Sequence, residues 1–124
     1  MANGKANYWL AEHGKTTGQG FTLNVDSCKR WISGCQIKNK GKGSSGTLYA
    51  TREFKVSSSK NKNGPWQTLL EEELVDTTGG KAASLLDFTF DQPMELQYLR
   101  FELVSYWGQY AGGLQYFAAI PASK

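Results

Sequence analysis

Histidine occurs once in this chain of 124 residues, cysteine twice, methionine twice and proline three times. The shortage of histidine and cysteine already narrows the chemistry. A zinc centre wants four nitrogen or sulfur ligands, and His13 lies far in sequence from Cys28 and Cys35. There is no nucleophile elbow, zinc motif or phosphate loop, and His13 has no evident serine or cysteine partner, so catalysis is not expected. Two carboxylates across a cleft, as a glycosidase needs, are the one arrangement that spacing alone leaves open. No run of eighteen apolar residues exists, so no membrane-spanning helix is expected. The opening MANGKANYWLAEHGK lacks the long apolar stretch of a secretory signal, and localisation stays open. Cys28 and Cys35 stand seven positions apart around an apparent tight turn, where antiparallel register makes a bridge awkward. Two free thiols are expected.

Also missing is a charge of one sign throughout. The formal charge of +3 splits into +8 for residues 1–62 and −5 for residues 63–124. Such polarity can make a footprint for an acidic partner, but solvated strand faces and loops explain it as well. A pI near 8.9 with aromatic loops raises nucleic-acid stacking. The acidic second half and the lack of a continuous basic stripe argue against it, so no nucleic-acid partner is expected.

Helical periodicity is absent, and short segments of period-two alternation rich in aromatic and β-branched residues take its place. Phe21, Leu23 and Val25 alternate in GFTLNV, and Trp31, Ser33, Cys35 and Ile37 are placed on one face of WISGCQIKN. Phe54 and Val56 follow, then Leu86, Phe88 and Phe90, then Leu99, Phe101 and Leu103. Leu114, Tyr116, Ala118 and Ile120 complete the set. With weaker strands at NYWLA and WQTLL, about eight antiparallel strands are expected in one all-β domain spanning residues 1–124. The first, third, fifth and seventh connections run to roughly ten residues each, against a usual median of about 4 to 6. If each strand reverses its predecessor, those four long loops share one end of a sandwich, where binding residues tend to sit.

The ordered elements NYWLA, GQGFTLNV with WISGCQIKN, TREFKVSSS, the NGPW turn, and YLRFELVSYWG with GLQYF together resemble a known family. It is the discoidin-like, coagulation factor V/VIII C-type domain of the galactose-binding-like superfamily, and the resemblance runs from Asn7 to Ile120. It implies an eight-stranded antiparallel jelly-roll sandwich whose loops at one end bind carbohydrate, phospholipid headgroups or protein partners. It also implies an extracellular setting. Two departures stand out: the cysteines sit in the first third rather than joining the chain ends, and the chain is short for the family. Structural calcium is frequent in such domains, but no ligands are assigned here, and no other cofactor is expected.

A sugar presents an apolar C–H face and a rim of hydroxyls, so its site needs an aromatic plane with amide, carboxylate or guanidinium groups. The stretch SYWGQYAGGLQYF, residues 105–117, holds five aromatic rings and three glycines. Its candidates are Tyr106, Trp107, Gln109 and Tyr110, with Gly108, Gly112 and Gly113 allowing close approach or positive φ. Trp107 and Tyr106 also suit a core role; Tyr110 is expected to be exposed. His13, beside Glu12 and Lys15, is either a hydroxyl donor or an idle surface histidine. Asn39, Lys40 and Lys42, with Gly41, Gly43, Ser44 and Ser45, form a basic loop fit for anions or for solvent alone. Arg52 alternates with Phe54 and either pairs with a carboxylate or contacts ligand, as an arginine near this point does in related carbohydrate-binding modules. Glu71, Glu72 and Glu73 point alternately across a strand, cannot converge on one ion, and are taken with Asp76 as a solvated edge.

The expected function is a non-catalytic, lectin-like module that binds a galactose-type or acidic glycan through its long loops. The alternatives are peripheral binding to anionic phospholipid, with Trp107 and Tyr110 inserted and Lys40 and Lys42 on headgroups, or a protein-interaction and adhesion role.

Overall fold

The computed structural model describes residues 5–25, 31–41, 47–79 and 82–122. Two antiparallel sheets face each other. The first contains β1 (Lys5–Ala6), β2 (Trp9–Leu10), β4 (Trp31–Asn39), β7 (Leu85–Glu95) and β9 (Gly113–Pro121), in the order β1-β9-β4-β7 with β2 also on β9. The second is β3 (Gly20–Asn24), β8 (Tyr98–Leu103), β5 (Glu53–Ser59) and β6 (Gln67–Glu73), in the order β3-β8-β5-β6. β1 and β2 run in succession along the same edge of β9.

Alternation decides which face each strand buries. Leu23 and Leu99 are cross-strand partners, as are Phe21 and Phe101. Val56 meets Phe101 from the other side. Phe101 is the hub of the core: its ring lies 5.3 to 5.7 Å from those of Phe21, Trp9, Phe54 and Phe117. Trp9 and Phe117 come from the first sheet and the other rings from the second, so this cluster joins the two layers.

Strict alternation fails at two bulges, and both change a face assignment. β4 shifts register between Ile32 and Gly34. Ile32, Cys35 and Ile37 are buried, while Trp31 and Ser33 are not, so Trp31 does not share a buried face with Cys35. Gly34 permits the close crossing here, since a Cβ on it would lie 2.2 Å from the Phe88 carbonyl oxygen. The register between β4 and β7 jumps at the same place, and Pro93, which has no N–H for a ladder, falls in the skipped stretch. The second shift, between Lys38 and Asn39, pairs Asn39 with Leu114 and Lys38 with Tyr116. Leu114 and Phe117 therefore point inward and Tyr116 remains half-exposed, contrary to the simple alternation.

Cys35 is a free, fully buried thiol, and burial, reinforced by Asp87, pushes it up to about 12. Cys28 lies outside the described residues. Among these residues no helix is long and apolar enough to cross a membrane.

The connections before β3 and after β4, β6 and β8, at 11–19, 40–52, 74–84 and 104–112, emerge at one end, as the alternation of long loops anticipated.

Candidate functional site

Three loops meet at that end through backbone hydrogen bonds, and the loop after β6 joins them where the Leu74 N–H donates to the Arg52 carbonyl at 2.7 Å. The Gly14 N–H donates to the Tyr110 carbonyl at 2.7 Å and Ala11 to Gly112 at 3.0 Å. Gln109 donates to Thr47 at 2.8 Å and Tyr110 to Leu48 at 2.9 Å, and Tyr49 forms a parallel bridge with Ala111. Gly108 is required in this crossing, because a Cβ there would lie 2.5 Å from the Ala111 and Leu48 carbonyl oxygens. Its φ is not positive, nor are those of Gly112 and Gly113, so of the two roles expected of these glycines only close approach is used.

The tied backbone carries three rings to one place. His13 stacks on Tyr110 at 4.8 Å with an interplanar angle of 30°, and Tyr49 stands edge-on to Tyr110 at 6.1 Å. His13 Nε2 and the Tyr49 hydroxyl share a hydrogen bond of 2.5 Å. His13 is exposed, Tyr110 retains 40% of its surface and Tyr49 is half-buried. Beneath them, Tyr49 and Tyr106 pack on a small cluster of Ala11, Leu103 and Ala111. Tyr106 thus supports the platform rather than forming its outer surface. Gln109 is exposed at its rim. In the first loop, the Gln19 side chain accepts from the Glu12 N–H at 2.9 Å, and the exposed Glu12 and Lys15 side chains approach to 3.7 Å.

A second grouping contains Arg52, Trp107 and Glu73. The Trp107 indole N–H donates to the Leu74 carbonyl at 2.8 Å, and the Arg52 guanidinium lies 4.6 Å from the ring. Arg52 Nε is 3.3 Å from Glu73 Oε2, both side chains about half exposed. An ion pair so open to water contributes at most about 1 kcal/mol. Arg52 therefore has the carboxylate partner that a strand arginine of this kind needs, and Trp107 is half-buried with its polar atom engaged.

Asn39 and Lys40 are placed elsewhere. Asn39 is 5% exposed; its amide donates to the Thr51 carbonyl and accepts from the Thr51 and Lys40 N–H groups at 2.9 to 3.0 Å. It ties β4 to the segment entering β5. Lys40 is 3% exposed, with Nζ 3.2 Å from Gln115 Oε1 and 3.9 Å from the centre of the Tyr8 ring. Neither reaches the exposed ring cluster. Lys42, Gly43, Ser44 and Ser45 lie outside the described residues. Glu71, Glu72 and Glu73 are exposed on β6, an edge strand, as anticipated. Among the described residues no three His, Cys, Asp or Glu side chains gather as a metal site.

Tyr49 is the site residue that the sequence did not single out. It lies two residues ahead of the segment TREFKVSSS, whose strand begins at Glu53. The available signal was a tyrosine bordering a glycine-rich loop.

The fold is that of the discoidin-like, galactose-binding-like domains. Neither a family model nor a curated protein matches the sequence. Among solved structures, a CBM32 module of Clostridium perfringens (CpGH89CBM32-5) in complex with GalNAc-β-1,3-galactose superposes with a TM-score of 0.65 at 12% identity. The match covers 86% of this chain and 68% of that one. The family 32 module of C. perfringens NanJ in complex with galactose gives 0.61 at 13% identity, covering 86% and 69%. An F5/8 type C domain from Bacteroides fragilis gives 0.54 at 13% identity, covering 92% and 80%.

Proposed function

We propose that this chain is a non-catalytic carbohydrate-binding module that holds a neutral, galactose-type sugar on the His13–Tyr49–Tyr110 platform. The observation carrying this reading is the convergence of three rings from three separate loops onto one surface, with two of them exposed. A contiguous cluster of rings at one surface is informative where a single exposed ring is not.

The chemistry follows from the geometry. Tyr110 offers an apolar plane for the C–H face of a pyranose. His13 spends Nε2 on Tyr49, and its Nδ1 has no partner among the described residues. A sugar hydroxyl both donates and accepts, so it suits Nδ1 in either tautomer. Gln109 adds an amide at the rim. The glycan ligands of two similar folds support the substrate class. Among the described residues a neutral sugar fits better than an acidic one, because Lys40 is turned into the protein and the Lys15 charge is balanced by Glu12. The same placement of Lys40, with the Trp107 indole engaged by Leu74, removes two of the groups on which lipid binding would depend.

A glycan array run beside liposome flotation tests the proposal. Binding to galactose- or GalNAc-terminated glycans, little changed by salt, is expected; flotation on phosphatidylserine that collapses with salt, with a silent array, would replace the sugar with a membrane surface. Silence in both assays would point to a protein partner.

A further inference from the structure

The opposite end of the sandwich holds a larger hollow that the platform does not involve. An open groove of about 640 Å³ lies between the β5–β6 hairpin of one sheet and the β4 and β7 ends of the other. That volume is within the range of small-ligand sites. Its walls include Trp31, 45% exposed at the start of β4, and Trp66, which precedes β6. The Arg100 guanidinium sits 4.0 Å from the centre of the Trp66 ring and its Nε bonds to Thr22 Oγ1 at 3.3 Å, so Trp66 is backed by a fixed group. Buried Leu96 forms part of the lining. Lys60, Asn61, Gln67 and Glu95 also line it, all exposed, and none of these side chains bonds to another described residue.

From this arrangement we infer a second carbohydrate site, distinct from the loop platform, in which a pyranose ring of a neutral glycan lies against Trp31. The indole of Trp31, 45% exposed beside the groove, offers an apolar plane to the C–H face of a sugar. Among the described residues the rim carries one ammonium, one carboxylate and two amides, which sum to no net charge and offer many hydroxyl partners. The groove is open at its mouth, and an internal unit of a chain can lie in it as readily as a terminal one. With one site at each end, a single domain can hold two glycan chains, or two stretches of one, and gain avidity without oligomerising.

The test follows the four tryptophan indole N–H signals of the ¹⁵N-labelled protein, assigned by single Trp→Phe variants. Soluble β-linked oligosaccharides of glucose, xylose, galactose and N-acetylglucosamine are the probes. Saturable shifts of the Trp31 and Trp66 signals with one or more of them are expected. These should persist in Tyr110→Ala and weaken at least about tenfold in Trp31→Ala, or in Asn61→Ala/Gln67→Ala should the first variant fail to fold. A shift confined to the Trp107 signal, from the loop that carries Tyr110, would overturn the second site and leave the platform standing. Shifts at Trp31 that vanish in Tyr110→Ala would reduce the two sites to one coupled one, and no saturable shift of the Trp31 or Trp66 signal with any of the probes would remove the groove as a glycan site. Each of these results overturns the inference.

Discussion

The two ends of this sandwich reach the same kind of surface by different routes. At one end long connections at 11–19, 40–52, 74–84 and 104–112 are bound to each other through their backbones and lift His13, Tyr49 and Tyr110 onto a platform. At the other, the connections at 60–66 and 96–97 are short, and the rings come from where strands begin, Trp31 at β4 and Trp66 just ahead of β6. Loops tied to loops hold their rings only as long as the loop-to-loop hydrogen bonds last. Rings at strand starts take their position from the sheet and tolerate less change. The difference sets a surface built by loops at one end against one built by the scaffold at the other.

Both surfaces hang on one core, and the harshest way to break the comparison is to remove its hub. Phe101→Ala is expected to cost about 3–5 kcal/mol, read as a lower midpoint in denaturant, and to weaken both surfaces together. A variant that lost one end only would mean that the ends fold as separate units.

Between the ends, Cys35 supplies an alkaline probe of the shared interior. Its thiol titrates near 9.0 when unfolded and at about 12 in the fold. The unfolded chain therefore releases its proton first, so this group's contribution is intact below pH 9 and declines as pH rises towards 12. Measured stability above pH 9 should fall more steeply in the parent than in Cys35→Ala. In a Cys28→Ser background, the thiol should resist a disulfide reagent until the chain unfolds. Rapid labelling of the native protein would place Cys35 outside the core.

Smaller changes sharpen the platform itself. Trp107→Phe removes the indole donor to Leu74 and should cost about 1 kcal/mol of stability, while sugar affinity moves by less than about threefold. The reverse pattern, intact stability with lost binding, would return Trp107 to the ligand surface. Arg52→Ala, which breaks a half-exposed pair and a ring contact, should shift stability by only about 0.5–1 kcal/mol.

The strands and the clustering of long loops could be read from the sequence because both follow from period-two alternation and chain reversal. Alternation loses phase at a bulge; the glycine at 34 inside a strand is a local sign of the first, while none marks the one at Asn39. Trp31 and Tyr116 were consequently given the wrong faces. Within the site, the exposure of Tyr110 was legible from its glycine-rich surroundings. The burial of Asn39 and Lys40 was not, since a polar loop residue turns inward only when a partner such as Thr51 or Gln115 arrives from elsewhere in the chain. Tyr49 was hidden for a similar reason: its place beside His13 depends on a pairing across 36 residues.

The central claim, that the three-ring platform binds a neutral sugar, is tested most directly by titrating the parent and Tyr110→Ala with GalNAc-β-1,3-galactose and galactose while recording both melting transitions. Binding by the parent, at least about tenfold weaker in Tyr110→Ala, with matching transitions, is the predicted result; about tenfold corresponds to ~1.4 kcal/mol. Equal affinity in the two proteins, with matching transitions, would contradict it.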